Sequence, residues 1–130
     1  MTRHERARIS RALTAAEEGT SGRIAVRVIP DRRVDAMERA RREFVRAGLH
    51  HHDRGNGALI LVAPKARRFA VIGDRALHQR VGEKFWHDVV RDSQPYFAKG
   101  DVVDGILFAI ARIGEALHGH FSETQQGHAR

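Results

Sequence analysis

Residues 57–63 read GALILVA, an unbroken apolar run that stops at Pro64. It falls far short of the roughly 18 residues that cross a membrane. A half-buried strand alternates apolar and polar side chains, whereas a continuous run leaves no face for water, the signature of a strand covered on both sides. The polar break Pro64-Lys65-Ala66-Arg67 follows, and RFAVIG (68–73) returns as a second strand, so the two form a hairpin. The rest of the chain must then supply helices for the faces of this sheet.

The flanking segments have the periods to do so. Residues 2–18 place Ile9, Leu13 and Ala16 near one helical face with arginines on the other, and Gly19 fits the end of that helix. RIAVRVI (23–29) alternates Ile24, Val26 and Val28 against Arg23, Ala25 and Arg27, a strand that ends at Pro30-Asp31. A second helix is predicted over about 34–47, burying Met37, Ala40 and Phe44 and exposing Arg39, Arg42 and Arg46. After the hairpin come a short helical turn at 75–80 and a helix from about Glu83 that breaks near Pro95 and packs Phe85, Trp86 and Val89 under the sheet. The last helix runs from Asp101 to near Gly119 with Ile106, Ile110, Ile113 and Leu117 inward. The order α-β-α-β-β-α-α predicts a three-layer α/β/α sandwich around a small sheet containing a β-hairpin.

A hairpin sets the start of its first strand beside the end of its second. The loop His51-His52-Asp53-Arg54-Gly55-Asn56 and the turn Gly73-Asp74 therefore share one sheet edge. Asp74 opens a helical turn and reads first as its N-cap. It also offers an oxygen to a hard cation such as calcium or magnesium, with Asn56 and Asp53 as companions. Asp101, after Gly100, is a helix start and a further candidate ligand if the last helix begins beside that edge. The tract His50-His51-His52 has the ligand type for zinc or nickel, but three consecutive residues rarely converge on one ion.

With 130 residues, the chain is expected to form a single domain, and it has no cysteine, which removes disulfides, thiolate metal sites and cysteine phosphatase chemistry. No Asp-x-Asp pair, no strand-borne Arg-His-Gly, no glycine-rich nucleotide loop and no Gly-Lys-Ser/Thr phosphate loop occurs. If phosphate is hydrolysed, the route left is a metal-activated water. Residues 1–68 carry 16 Lys/Arg against 8 Asp/Glu, whereas the remainder carries 7 against 8. That basic half suits weak, sequence-independent polyanion binding through Arg39, Arg42 and Arg46. Aromatic content of 6%, at core-like positions, gives no base-stacking platform, so nucleic acid is not an expected partner. The charged N-terminus MTRHERARIS lacks the apolar segment of a secretory signal, and a soluble, cytoplasmic protein is expected.

The run NGALILVAPKARRFAVIGDRALHQRVGEKFW, followed by YFAKGDVVDGILFAIARIGEALHGHF and preceded by AEEGTSGRIAVRV, resembles the TPM domain, the family of the thylakoid lumen acid phosphatase. Within that family the chain is most similar to a short soluble bacterial branch. Its features are Asn56-Gly57 before the first hairpin strand, Gly73-Asp74 after the second, and Phe85-Trp86 in the next helix. The resemblance implies an α/β sandwich around a mixed sheet, one TPM-like domain over residues 1–121, and a polar tail at 122–130. It also implies three described roles: acid phosphatase, divalent-cation (calcium) binder, or accessory protein of a membrane-associated complex. Relatives often carry TSGE where this chain has Thr20-Ser21-Gly22-Arg23, and the histidine-rich HHHDRG replaces their threonine and charged pair. The expected function is a TPM-like accessory or scaffold domain with a weak calcium site at Asp74, Asn56, Asp53 and Asp101. Alternatives are a metal-dependent phosphomonoesterase and a non-specific polyanion binder.

Overall fold

The apolar run is the middle strand of the molecule. In a computed structural model, which describes residues 1–51 and 54–123, three strands line up in the order β1 (Arg23–Val28), β2 (Gly57–Ala63), β3 (Arg68–Gly73). β1 runs parallel to β2, with Ile24 opposite Ala58, and β3 runs antiparallel to it, with Leu59 opposite Ile72. The sheet is therefore mixed, and every residue of β2 is buried.

Five α-helices among the described residues complete the two outer layers: α1 (Arg3–Glu17), α2 (Ala36–Arg46), α3 (Arg75–Val81), α4 (Glu83–Ala98) and α5 (Val102–His120). Side chains alternate across a strand, so Ala58, Ile60 and Val62 face a core made with Ile9, Trp86, Ile106, Ile110, Ile113 and Leu117. Leu59, Leu61 and Ala63 face the opposite way, onto Ala40 and Phe44 of α2 and Leu49. The three-layer sandwich expected from the apolar run is the observed architecture. The body continues slightly past residue 121, because Ser122 bridges Thr20 and the Glu123 amide donates to the Gly19 carbonyl. Residues 124–130, most of the expected tail, lie outside the described residues.

Several local expectations are corrected. Met37 is 40% exposed rather than buried, and Val28 is 42% exposed. Met37 lies in the first turn of α2, which packs on β2 and β3, whereas Val28 ends β1 on the opposite face of the sheet, beside Met1, Glu5 and Arg8. Arg39 is half-buried and ion-paired instead of solvated: its guanidinium contacts Asp31 Oδ2 and Glu43 Oε2, each at 3.0 Å. Finally, α4 does not break at Pro95 but runs through it to Ala98. The lost amide costs one helical hydrogen bond, but packing holds the last turn in place. Phe97 lies against Gly105 of α5, and the Tyr96 ring sits 5.6 Å from that of Phe108.

Candidate functional site

The hairpin register brings the loop before β2 and the turn after β3 together, as its geometry requires. The Asp74 amide donates to the Gly57 carbonyl at 2.8 Å, and the Gly55 carbonyl accepts from the amides of Ala76 at 2.9 Å and Leu77 at 3.2 Å. Gly55 has φ +65°, and a Cβ there would lie 3.4 Å from the Ala76 side chain. A residue that needs positive φ and passes close to a helix start is best served by glycine.

Asp74 caps α3 in the predicted way. Its Oδ1 accepts from the Arg75 amide at 2.8 Å, and its Oδ2 lies on the side of Gly55. Asn56 is fully buried. Being an even-numbered neighbour of Ala58, Ile60 and Val62, it projects to the face that carries α5. Its Nδ2 donates to Ser21 Oγ at 2.8 Å, whereas its Oδ1 has no hydrogen-bond partner among the described residues. A buried amide oxygen left without a donor costs on the order of 1–3 kcal/mol. An oxygen held at that cost, on the loop edge that also carries Asp74, suits a hard cation, which binds through carboxylate and carbonyl oxygens.

The other candidates fall elsewhere. Asp101 lies with Pro64, Gly100 and Val28, at the end of the sheet where β2 finishes. The length of β2, roughly 20 Å at the usual rise per residue, separates it from the Asn56 end. The last helix starts at the hairpin's turn rather than its open edge, so Asp101 cannot share a cation with Asp74. Asp53 and His52 lie outside the described residues. His50 and His51 are exposed, with ring centroids 3.7 Å apart, and form part of a 3₁₀ turn at Leu49–His51. Among the described residues no cluster of three or more His, Asp or Glu side chains has metal-binding geometry.

Ser21 is the participant that the sequence analysis did not assign. Its signal was available: a parallel strand before β2 brings the residues preceding β1 alongside those preceding β2. The Thr20 hydroxyl shapes that entry by donating to the Glu17 carbonyl and accepting from the Gly22 amide. Arg23 is exposed.

These features define a small three-layer α/β domain with an oxygen-bearing loop edge at the open end of its hairpin. The chain belongs to the TPM-domain family, whose profile matches residues 1–116. It is similar to BA42, a protein of the psychrophilic bacterium Bizionia argentinensis, with 28% identity, a TM-score of 0.86, and coverage of 97% of this chain and 87% of that one. The N-terminal domain of a P. gingivalis protein superposes with a TM-score of 0.79 at 15% identity, over 93% of this chain and 78% of that one. The N-terminal domain of cg2496 from Corynebacterium glutamicum gives 0.70 at 14%, over 90% and 74%. At such identities these two show the fold alone. No curated protein matches the chain. No helix among the described residues is long and apolar enough to cross a membrane.

Proposed function

We propose that this chain is a TPM accessory module whose loop edge is ordered by a weakly held divalent cation, and which acts by docking to a protein partner. The observation that carries the reading is the buried Oδ1 of Asn56, without a hydrogen-bond partner among the described residues, on the edge that carries the Asp74 cap. Asn56 and Asp74 would supply the protein oxygens, and a bound calcium would cross-link the β2 entry to the start of α3. A donor set with so little charge implies an affinity nearer the 10⁻⁴–10⁻³ M order of loosely built calcium sites than that of tight buffers. A membrane-associated complex is the setting that the family resemblance suggests for the partner.

Calorimetric titration of calcium into the wild type and Asp74→Asn tests the site. The substitution keeps a capping oxygen, so the fold should persist while binding weakens. Calcium at about 100 times its Kd should stabilise the wild type by about 2.7 kcal/mol, read as a rise in melting temperature that the variant loses. No heat and no calcium-dependent rise in the wild type would leave Asp74 as a cap alone. Phosphate release from a generic phosphomonoester, with and without calcium, separates binding from hydrolysis. The accessory reading expects no release above buffer, and calcium-dependent turnover lost in Asp74→Asn would favour the phosphomonoesterase instead.

A further inference from the structure

At the other end of β2 the hairpin turn and the α4–α5 corner enclose a cavity of about 530 Å³, within the range of roughly 300–1,000 Å³ typical of small-molecule sites. Its inner wall is apolar: half-buried Phe69, Phe97 and Val102 line it, and the Phe69 and Phe97 rings pack with centroids 4.6 Å apart. Its rim is cationic. Arg67, Arg68 and Lys99 are exposed there, and none of them has an ion-pair partner among the described residues. Among the described residues no Asp or Glu lines this cavity. Asp101 and Asp104 line an adjoining depression that shares Pro64, Gly100 and Val102 with the cavity, and there Asp104 pairs with Arg8.

One rim residue is placed against its own backbone preference. Arg67 has φ +54° and ψ +44°, the left-handed conformation, and is the non-glycine residue with positive φ among those described. Glycine adopts that conformation freely, whereas an L side chain is strained in it. A hairpin turn that only had to close would be served better by glycine. Arginine at this position puts a guanidinium at the mouth of an aromatic cavity.

From this we infer that the cavity binds a small amphiphilic anion, an alkyl or aryl body seated on Phe69 and Phe97 with a phosphate or carboxylate head held by Arg67, Arg68 and Lys99. The site is independent of the cation edge, from which β2 separates it. Charge alone or an apolar body alone would satisfy only half of the lining.

Decyl phosphate, below its micelle concentration, is the probe, with decanol and inorganic phosphate as the two half-ligands. Calorimetry should show decyl phosphate binding at least about tenfold more tightly than either, and amide shifts should cluster at residues 62–69 and 94–102. Arg67→Gly should weaken binding about tenfold, the loss of one charge-assisted hydrogen bond, while its melting temperature equals or exceeds that of the wild type. Lys99→Gln should also weaken binding and leave folding unchanged. Equal affinity for decanol, equal affinity for inorganic phosphate, shifts centred elsewhere, or an Arg67→Gly variant that binds like the wild type would each overturn the inference. Co-sedimentation with phosphatidylglycerol vesicles, without binding of free decyl phosphate, would overturn it in favour of a membrane surface.

Discussion

Gly73 and Trp86 show how one residue dictates another. A Cβ built on Gly73 would collide with Cζ2 of the Trp86 indole, which packs against the end of β3. The indole Nε1 also donates to His78 Nδ1 at 3.1 Å, which joins α4 to α3 just behind the Asp74 cap. Glycine at 73 is thus required by close approach and not by its dihedral freedom. Gly73→Ala should destabilise by about 1–3 kcal/mol through overpacking, and Trp86→Ala by about 3–5 kcal/mol through the cavity it leaves. Thermal and urea melts of both variants and the double mutant provide the check. The two losses should be markedly non-additive, because the truncated ring frees the space that the new methyl needs. Additive losses would mean that the indole does not rest on residue 73.

The scale of the element is clearest at α2. Glu43 is 7% exposed yet charged, and it survives burial because three arginines converge on it. Arg39 Nε lies 3.0 Å from Oε2, Arg46 Nη1 3.1 Å from the same atom, and Arg27 Nε of β1 3.8 Å from Oε1. The Arg39 hydrogen bond is the main cause that lowers the Glu43 carboxyl below its ordinary 4.5, against the opposing effect of burial. A carboxylate with a depressed pKa in the folded state contributes stability above its unfolded value and loses it as pH falls through the folded one. Glu43→Gln should cost about 1.5–3 kcal/mol at neutral pH, the range for hydrogen bonds to charged groups. The deficit should shrink as pH falls below about 4.5, where the unfolded chain begins to take up the proton, and vanish once pH passes the lowered folded-state value at which the folded wild type also loses the charge. Melting curves from pH 7 to pH 3 test this, and a deficit independent of pH would show that Glu43 acts by packing alone. Periodicity could find the apolar face of α2, but it could not place Arg27 of a different element over Glu43.

For the whole molecule, the basic half is less free than its composition suggests. Of the arginines assigned to polyanion binding, Arg39 is held by Asp31 and Glu43, and Arg46 contacts Glu43 while remaining 67% exposed. Arg41 and Arg42 stand exposed, with no ion pair shown among the described residues. Binding to duplex DNA should therefore be weak and independent of sequence. Its log K should fall against log salt with a slope of roughly −0.9 per phosphate engaged, and neutralising Arg41 and Arg42 together should reduce that slope by about 2. Fluorescence anisotropy across a salt series measures both. A tight complex with one sequence at physiological salt would contradict the picture.

The layers and the open edge were legible in the chain because they rest on local rules. An apolar run without alternation demands cover on two faces, a short polar break demands a hairpin, and the hairpin sets Asn56 beside Asp74 by its register alone. Helix ends were legible wherever a capping residue or glycine marked them. What the tertiary structure decided is everything that depends on elements distant in sequence. Pro95 stays helical because Tyr96 and Phe97 are held by α5. Met37, in the first turn of α2, is exposed although its spacing matches that of Ala40 and Phe44, and Arg39 is tied down by a carboxylate that Arg27 of β1 also engages. Asp101 belongs to the turn end of the hairpin because α5 begins there, a choice that no local pattern encodes. The orphaned oxygen of Asn56 likewise appears only when β1 lies parallel to β2 and brings Ser21 to one side of the amide, leaving the other side without a donor among the described residues.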